Sequence, residues 1–186
     1  MKSRDGKRTE EFGLWLTRYL RGDSQYFVFY DHGIKQEDQN VAAIKGFYGH
    51  QVANKNRLAD IDVMVVNNDT DEVILLIEVE ERGMPPKKLL GDVFATLMCN
   101  RFAVRIDKEQ KYFNISPETR LIVCGVVPGQ GDGQDKIINV ITPRLREFGV
   151  PDDTIQIDKI KFVFGEDISG MIEELKSETK NVFAIN

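Results

Sequence analysis

The sequence predicts an α/β protein, one domain over residues 1–186 in which a mixed β-sheet is flanked by helices. Three observations predict it. Short apolar runs with strand character alternate with stretches in which apolar residues recur every three or four positions, an order that packs helices against a sheet. A chain of 186 residues with 41% hydrophobic and 30% charged residues has the apolar mass for one substantial core. No apolar run approaches the roughly 20 residues of a bilayer span, and no secretory pattern follows the charged start from Met1 to Arg8. The expected location is therefore the cytoplasm, with no membrane partner.

The first helix is expected from Thr9 to Leu20, where Phe12, Trp15, Leu16 and Tyr19 share a face and Thr9 is the expected cap. Tyr26 to Tyr30 reads as a strand, and residues 31–57 as polar loop with room for one short element. Ile61 to Val66 and Val73 to Val79 read as strands joined by Asn67-Asn68-Asp69-Thr70-Asp71, an antiparallel hairpin. The second of these is almost continuously apolar and belongs at the centre of the sheet. After the breaker Gly83-Met84-Pro85-Pro86, a helix is expected from Lys87 to Arg101, with Leu89, Leu90, Val93, Phe94, Leu97 and Met98 as its stripe. A buried strand from Leu121 to Val127 follows. A helix from Asp135 to Phe148 comes next, carrying Ile138, Ile141, Leu145 and Phe148, and then a strand from Ile157 to Phe164. The last element is a helix with Ile168, Met171, Ile172 and Leu175. Cys99 and Cys124 form no CxxC pair and are expected as buried thiols.

Charge is unevenly spread. The net charge of −5 excludes a surface that grips nucleic acid all over, but residues 1–57 carry ten Lys/Arg against seven Asp/Glu. The segment Ile44 to Leu58 holds Lys45, His50, Lys55 and Arg57 and no acid, whereas Asn67 to Glu81 holds six carboxylates and no base. Lys45, Lys55 and Arg57 are the candidate phosphate contacts, Phe47 or Tyr48 adding a stacking surface. The basic run Lys2, Arg4, Lys7 and Arg8 is the next candidate.

The chemistry concentrates in Asp60-Ile61-Asp62 and Glu78-Val79-Glu80. Side chains alternate across a strand, so each pair of acids shares a side, and the hairpin brings the start of one strand beside the end of the next. Carboxylates converging there repel unless they are protonated or bridged by a cation. A hard divalent ion, Mg²⁺ or Mn²⁺, suits such oxygens and would serve phosphoryl transfer by polarising the phosphate and stabilising the leaving oxygen.

At these residues the chain resembles the PD-(D/E)XK nuclease superfamily, the restriction-endonuclease-like fold. Its hallmark is an Asp opening one strand of a hairpin and a (D/E)-x-K ending the next, followed by a helix, in an αβββαβ core that matches residues 9–127. The resemblance implies Asp62, or Asp60 two positions earlier, in the first acidic slot and Glu78 in the second, as ligands of Mg²⁺ or Mn²⁺. It implies Glu10 or Glu11 as the extra acid that many members supply from the first helix. Glu80 stands where the family usually has Lys, and Lys87 or Lys88, opening the next helix, is similar to the relocated lysine of some members. For each lysine the alternative is a place on a solvated helix face, with Lys88 and Asp92 as an i,i+4 pair.

The implied activity is metal-dependent hydrolysis of phosphodiester bonds in DNA, in a homodimer where both strands are cut. A Glu in that slot occurs in some active members and also in members that have lost activity, so a catalytically silent nucleic-acid or partner-binding protein is one alternative. A nucleotide-binding module on the loop Gly129-Gln130-Gly131-Asp132-Gly133 is another, although Asp132 and Asp135 would repel a pyrophosphate. His32 and His50 are expected as ordinary loop residues.

Overall fold

Phe12, Leu16 and Leu20 lie about one turn apart on helix α1 (Lys7–Leu20), and all three are buried. The helix packs on strand β1 (Tyr26–Tyr30), and Gly13 permits the close approach, because a Cβ there would stand 2.3 Å from the Tyr30 ring. In this computed structural model the described residues are 6–32, 40–49, 53–81, 86–106, 109–127, 137–147, 149–150 and 154–184. The breaker Gly83 to Pro85, the loop Gly129 to Gly133 and residues Lys2, Arg4, His50, Asp135 and Phe148 lie outside them.

Strands β2 (Ile44–Phe47), β3 (Arg57–Ile61), β4 (Val63–Asn67), β5 (Glu72–Glu80), β6 (Arg101–Ile106), β7 (Glu109–Val126) and β8 (Ile160–Gly165) complete one mixed sheet of eight strands. Its order is β1-β4-β5-β7-β6-β2-β3, with β8 also paired to β7. β5 lies between antiparallel β4 and parallel β7, the central position its apolar run requires. Among the described residues the remaining α-helices are α2 (Pro86–Leu97), the single turn α3 (Thr142–Leu145) and α4 (Ile168–Phe183), the last capped by the Asp167 carboxylate accepting from the Gly170 N–H at 2.8 Å.

Alternation along β4 divides the core. Val63 and Val65 face the layer of Phe12, Leu16, Met171 and Leu175 from α1 and α4, while Met64 and Val66 face Leu89 and Val93 of α2 with Phe102 and Phe113. Each such side chain contributes roughly 1.5–3 kcal/mol by leaving water, so both helical layers are anchored through one strand's periodicity.

Five of the departures from the sequence expectations bear on how the elements pack. Thr9 is not the cap of α1. It is buried in the first turn, Gly6 caps with φ +79°, and the N–H groups of Arg8 and Thr9 donate to Glu81 Oε1 at 3.0 and 3.2 Å. The strand expected from Ile61 to Val66 is broken at Asp62, β3 pairing with β2 and β4 with β1 and β5. Helix α2 stops at Leu97, and Arg101 opens β6, where Phe102 and Val104 turn inward. The strand expected from Leu121 is the second half of an 18-residue strand that contains Pro117. Proline survives there because the pairing skips from Val73↔Ile115 to Leu75↔Arg120, and Thr119 Oγ1 stitches the bulge by donating to the Val73 carbonyl at 2.6 Å while accepting from the Ser116 N–H at 3.0 Å. Finally, residues Ile137–Ile141 wind widely before α3, since Pro143 offers no N–H. The Thr142 hydroxyl donates to the Ile137 carbonyl instead, at 2.8 Å.

Candidate active site

The break at Asp62 makes a pocket. β3 and β4 part there, and a cavity of about 350 Å³ opens between the ends of β3 and β5 and the first turns of α1 and α2. Asp60, Asp62, Glu78 and Glu80 all line it: alternation along β5 puts Glu78 and Glu80 on one side, while Asp60 and Asp62 flank the break, across which Ile61 and Val63 face opposite layers of the core. Asp62 takes the place of a missing ladder partner: its Oδ2 accepts from the Val79 N–H at 2.7 Å, and its carbonyl accepts from the Asp31 N–H at 2.8 Å. One carboxylate oxygen therefore extends the β4–β5 pairing past the end of β4.

Burial raises the Asp62 carboxyl from its ordinary value to about 6; the Val79 N–H and His32 oppose the rise, and Asp31 and Glu81 add to it. Glu78 is pushed well above the usual carboxylate range, first by burial and then by Asp62, Asp92 and Asp60, with Lys88 opposing. Asp92, one turn along α2 from Lys88, is raised by burial against the pull of that lysine. Perturbed acids gathered in one concavity are the electrostatic signature of a functional site.

The lysines separate. Lys88 lines the pocket and forms an ion pair with Glu80, whereas Lys87 is exposed and does not line it. Glu11 is not in the site. It is exposed on α1 and paired with Lys7 and Arg8, because the rotation of the helix turns Gly6 and Thr9 toward the pocket in its place. Glu10 does not line the pocket either. Arg57 pairs with Asp60 at the pocket's edge, Lys45 stands opposite Asp60 in register, and Lys55 is exposed on the short turn Asn54–Asn56. Phe47 is 2% exposed and cannot stack on a ligand, while Tyr48 is 63% exposed. Three titratable lining residues, His32, Glu81 and Asp92, are not among the site candidates that the sequence offers. Glu81 and Asp92 were neighbours of assigned residues, but His32 reaches the pocket from a loop position with φ +62° that leaves no periodic signal.

The donor set is chemically suited to a hard divalent cation, being all carboxylate and short of positive charge. As the side chains stand, no three His, Cys, Asp or Glu residues among the described ones are grouped to hold a metal ion. Cys99 and Cys124 are buried free thiols. Among the described residues no helix is long and apolar enough to cross a membrane. No protein-family model, no curated protein and no solved structure matches the chain.

Proposed function

We propose that the chain is a metal-dependent nuclease of the PD-(D/E)XK type that hydrolyses phosphodiester bonds in DNA. The observation that carries this reading is the pairing of Lys88 with Glu80 beside Asp62 and Glu78 in one pocket. A lysine from the following helix thus meets the strand position where that family's lysine usually stands. Asp62 and Glu78, with Asp60 beside them, would hold Mg²⁺ or Mn²⁺, which would supply Lewis-acid stabilisation of charge on the phosphate. The Val79 N–H fixes the Asp62 carboxylate in orientation. Glu80 accepts a proton from the attacking water as its oxygen bonds to phosphorus and the leaving oxygen departs with the bonding pair. The Lys88 ammonium orients Glu80 and faces the charge that develops on the phosphate.

The test is incubation of the protein with plasmid, linear and branched DNA in Mg²⁺ or Mn²⁺ and in EDTA. Cation-dependent cleavage that disappears in Glu78→Gln is the expected result. Absence of cleavage on every substrate overturns the reading, and DNA binding without cleavage assigns a catalytically silent member instead.

A further inference from the structure

Outside the pocket, the chain concentrates cations on one sheet face. Ile44, Phe102, Val104 and Phe113 turn into the core, so alternation sends Lys45 of β2, Arg101, Ala103 and Arg105 of β6, and Tyr112 of β7 to the opposite side. Register aligns Asp60, Lys45, Ala103 and Tyr112 in one row across β3, β2, β6 and β7. At about 4.8 Å per strand, the row runs roughly 14 Å from Asp60, which lines the pocket, to Tyr112. Arg105 stands opposite Gln110 on one side of this row and Arg101 opposite Asn114 on the other. Arg57 joins the row through its ion pair with Asp60. Tyr112 is 43% exposed, and Arg105 is exposed.

Among the described residues of these four strands, four cations thus stand with one acid, Asp60, on a face of a chain whose net charge is −5. That local inversion of sign suits a polyanion. The exposed tyrosine ring narrows the class. Bases paired in a duplex are already stacked on one another, whereas an unpaired base gains by stacking on an aromatic side chain, and a strand face with cations around a ring is the arrangement single strands use.

We propose that the outer face of β3-β2-β6-β7 is a platform for single-stranded nucleic acid. Phosphates meet Lys45, Arg57, Arg101 and Arg105, a base stacks on Tyr112, and the row leads the strand to the pocket at Asp60. Delivery to the pocket rests on the nuclease reading above.

Binding of short fluorescent DNA and RNA single strands, and of the matching duplex, is measured by anisotropy in EDTA over a series of salt concentrations. Single strands are expected to bind more tightly than duplex, and DNA against RNA reads which sugar the face prefers. The double variant Lys45→Ala, Arg105→Ala should bind at least tenfold more weakly, with a log–log salt slope shallower by about 1.4, or 0.7 for each phosphate no longer neutralised. Tyr112→Ala should weaken binding by about 5- to 150-fold, the equivalent of one stacked base, and Tyr112→Phe should retain it. Unchanged melting temperatures show that these variants are folded. Tighter duplex binding, or variants with wild-type affinity and salt slope, overturns the platform. Cleavage is read in parallel on the same variants. If they bind normally while the wild type cleaves DNA, the platform falls and the nuclease stands; if single-strand binding depends on them while no substrate is cleaved, the platform stands and the nuclease falls.

Discussion

Lys88 and Lys87 are adjacent in sequence but differ in environment. Lys88 faces the pocket and holds Glu80, and Lys87 projects into solvent. Lys88→Ala is expected to slow turnover at saturating DNA by roughly 10²-fold or more, as for a group acting in the transition state, while Lys87→Ala leaves turnover nearly unchanged. Equal, minor effects would remove the lysine from the mechanism. Asp62 yields a second expectation at this scale. Its carboxyl is raised to about 6 in the folded protein, so between the ordinary carboxyl range and that value the native state holds a proton that the unfolded chain has released. Stability therefore falls as pH rises through this window and stays lower above it. Asp62→Asn, whose amide oxygen still accepts from the Val79 N–H, should stabilise the metal-free protein at neutral pH by roughly 1–3 kcal/mol. Urea unfolding at neutral pH and near pH 4 checks the sign, since the gain should vanish at the acid end.

Helix α1 depends on a residue more than seventy positions away. Glu81 Oε1 accepts the N–H groups of Arg8 and Thr9, so Glu81→Ala should destabilise the protein by about 0.5–2 kcal/mol, the range for removal of a helix cap, and Glu81→Gln should recover most of it in thermal melts. No local pattern encodes such a cap, which is why Thr9 looks like the capping residue in the sequence. The elements that are legible are those whose burial is written in their own periodicity: β1 has the expected bounds, β5 is central, and α4 buries Met171 and Leu175. β6 was hidden because the stripe of α2 runs on in sequence past Leu97, and the first half of β7 because Pro117 and its polar neighbours resemble a loop until Thr119 is seen to stitch the bulge. The same division holds for the site. Glu78 and Glu80 follow from alternation along β5, and Asp60 and Asp62 from the approach of the chain before β4 to the end of β5, although the break at Asp62 is not legible; His32 arrives by loop packing and Glu11 is excluded by the rotation of α1, neither of which sequence spacing specifies.

At the scale of the whole molecule, two breaks shape the sheet, and they are closed differently. The bulge at Ser116 to Thr119 is satisfied within the fold, while the break at Asp62 spends one carboxylate oxygen on Val79 and leaves the pocket with acids in excess. Among the described residues, Asp60, Asp62, Glu78, Glu80, Glu81 and Asp92 line a space in which Lys88 and His32 are the basic groups. Burial raises three of these acids, Asp62, Glu78 and Asp92, and repulsion from neighbouring acids adds to the rise at Asp62 and Glu78, so the folded state tolerates its own charge poorly. Any cation that binds them in the native state must raise stability by linkage, about 2.7 kcal/mol at a concentration one hundred times its Kd. Mg²⁺, Mn²⁺ and Ca²⁺ are therefore expected to raise the melting temperature at neutral pH. The response should weaken below about pH 6, where Asp62 takes up a proton and competes with the ion. Glu78→Gln should lose most of the response while melting higher than wild type without metal, because it removes a carboxyl whose charged form burial disfavours, together with a ligand. A melting temperature that ignores all three ions at neutral pH, or a full response in Glu78→Gln, would show that these carboxylates are neutralised by protons alone, and the pocket would then have no place for a metal-dependent hydrolysis.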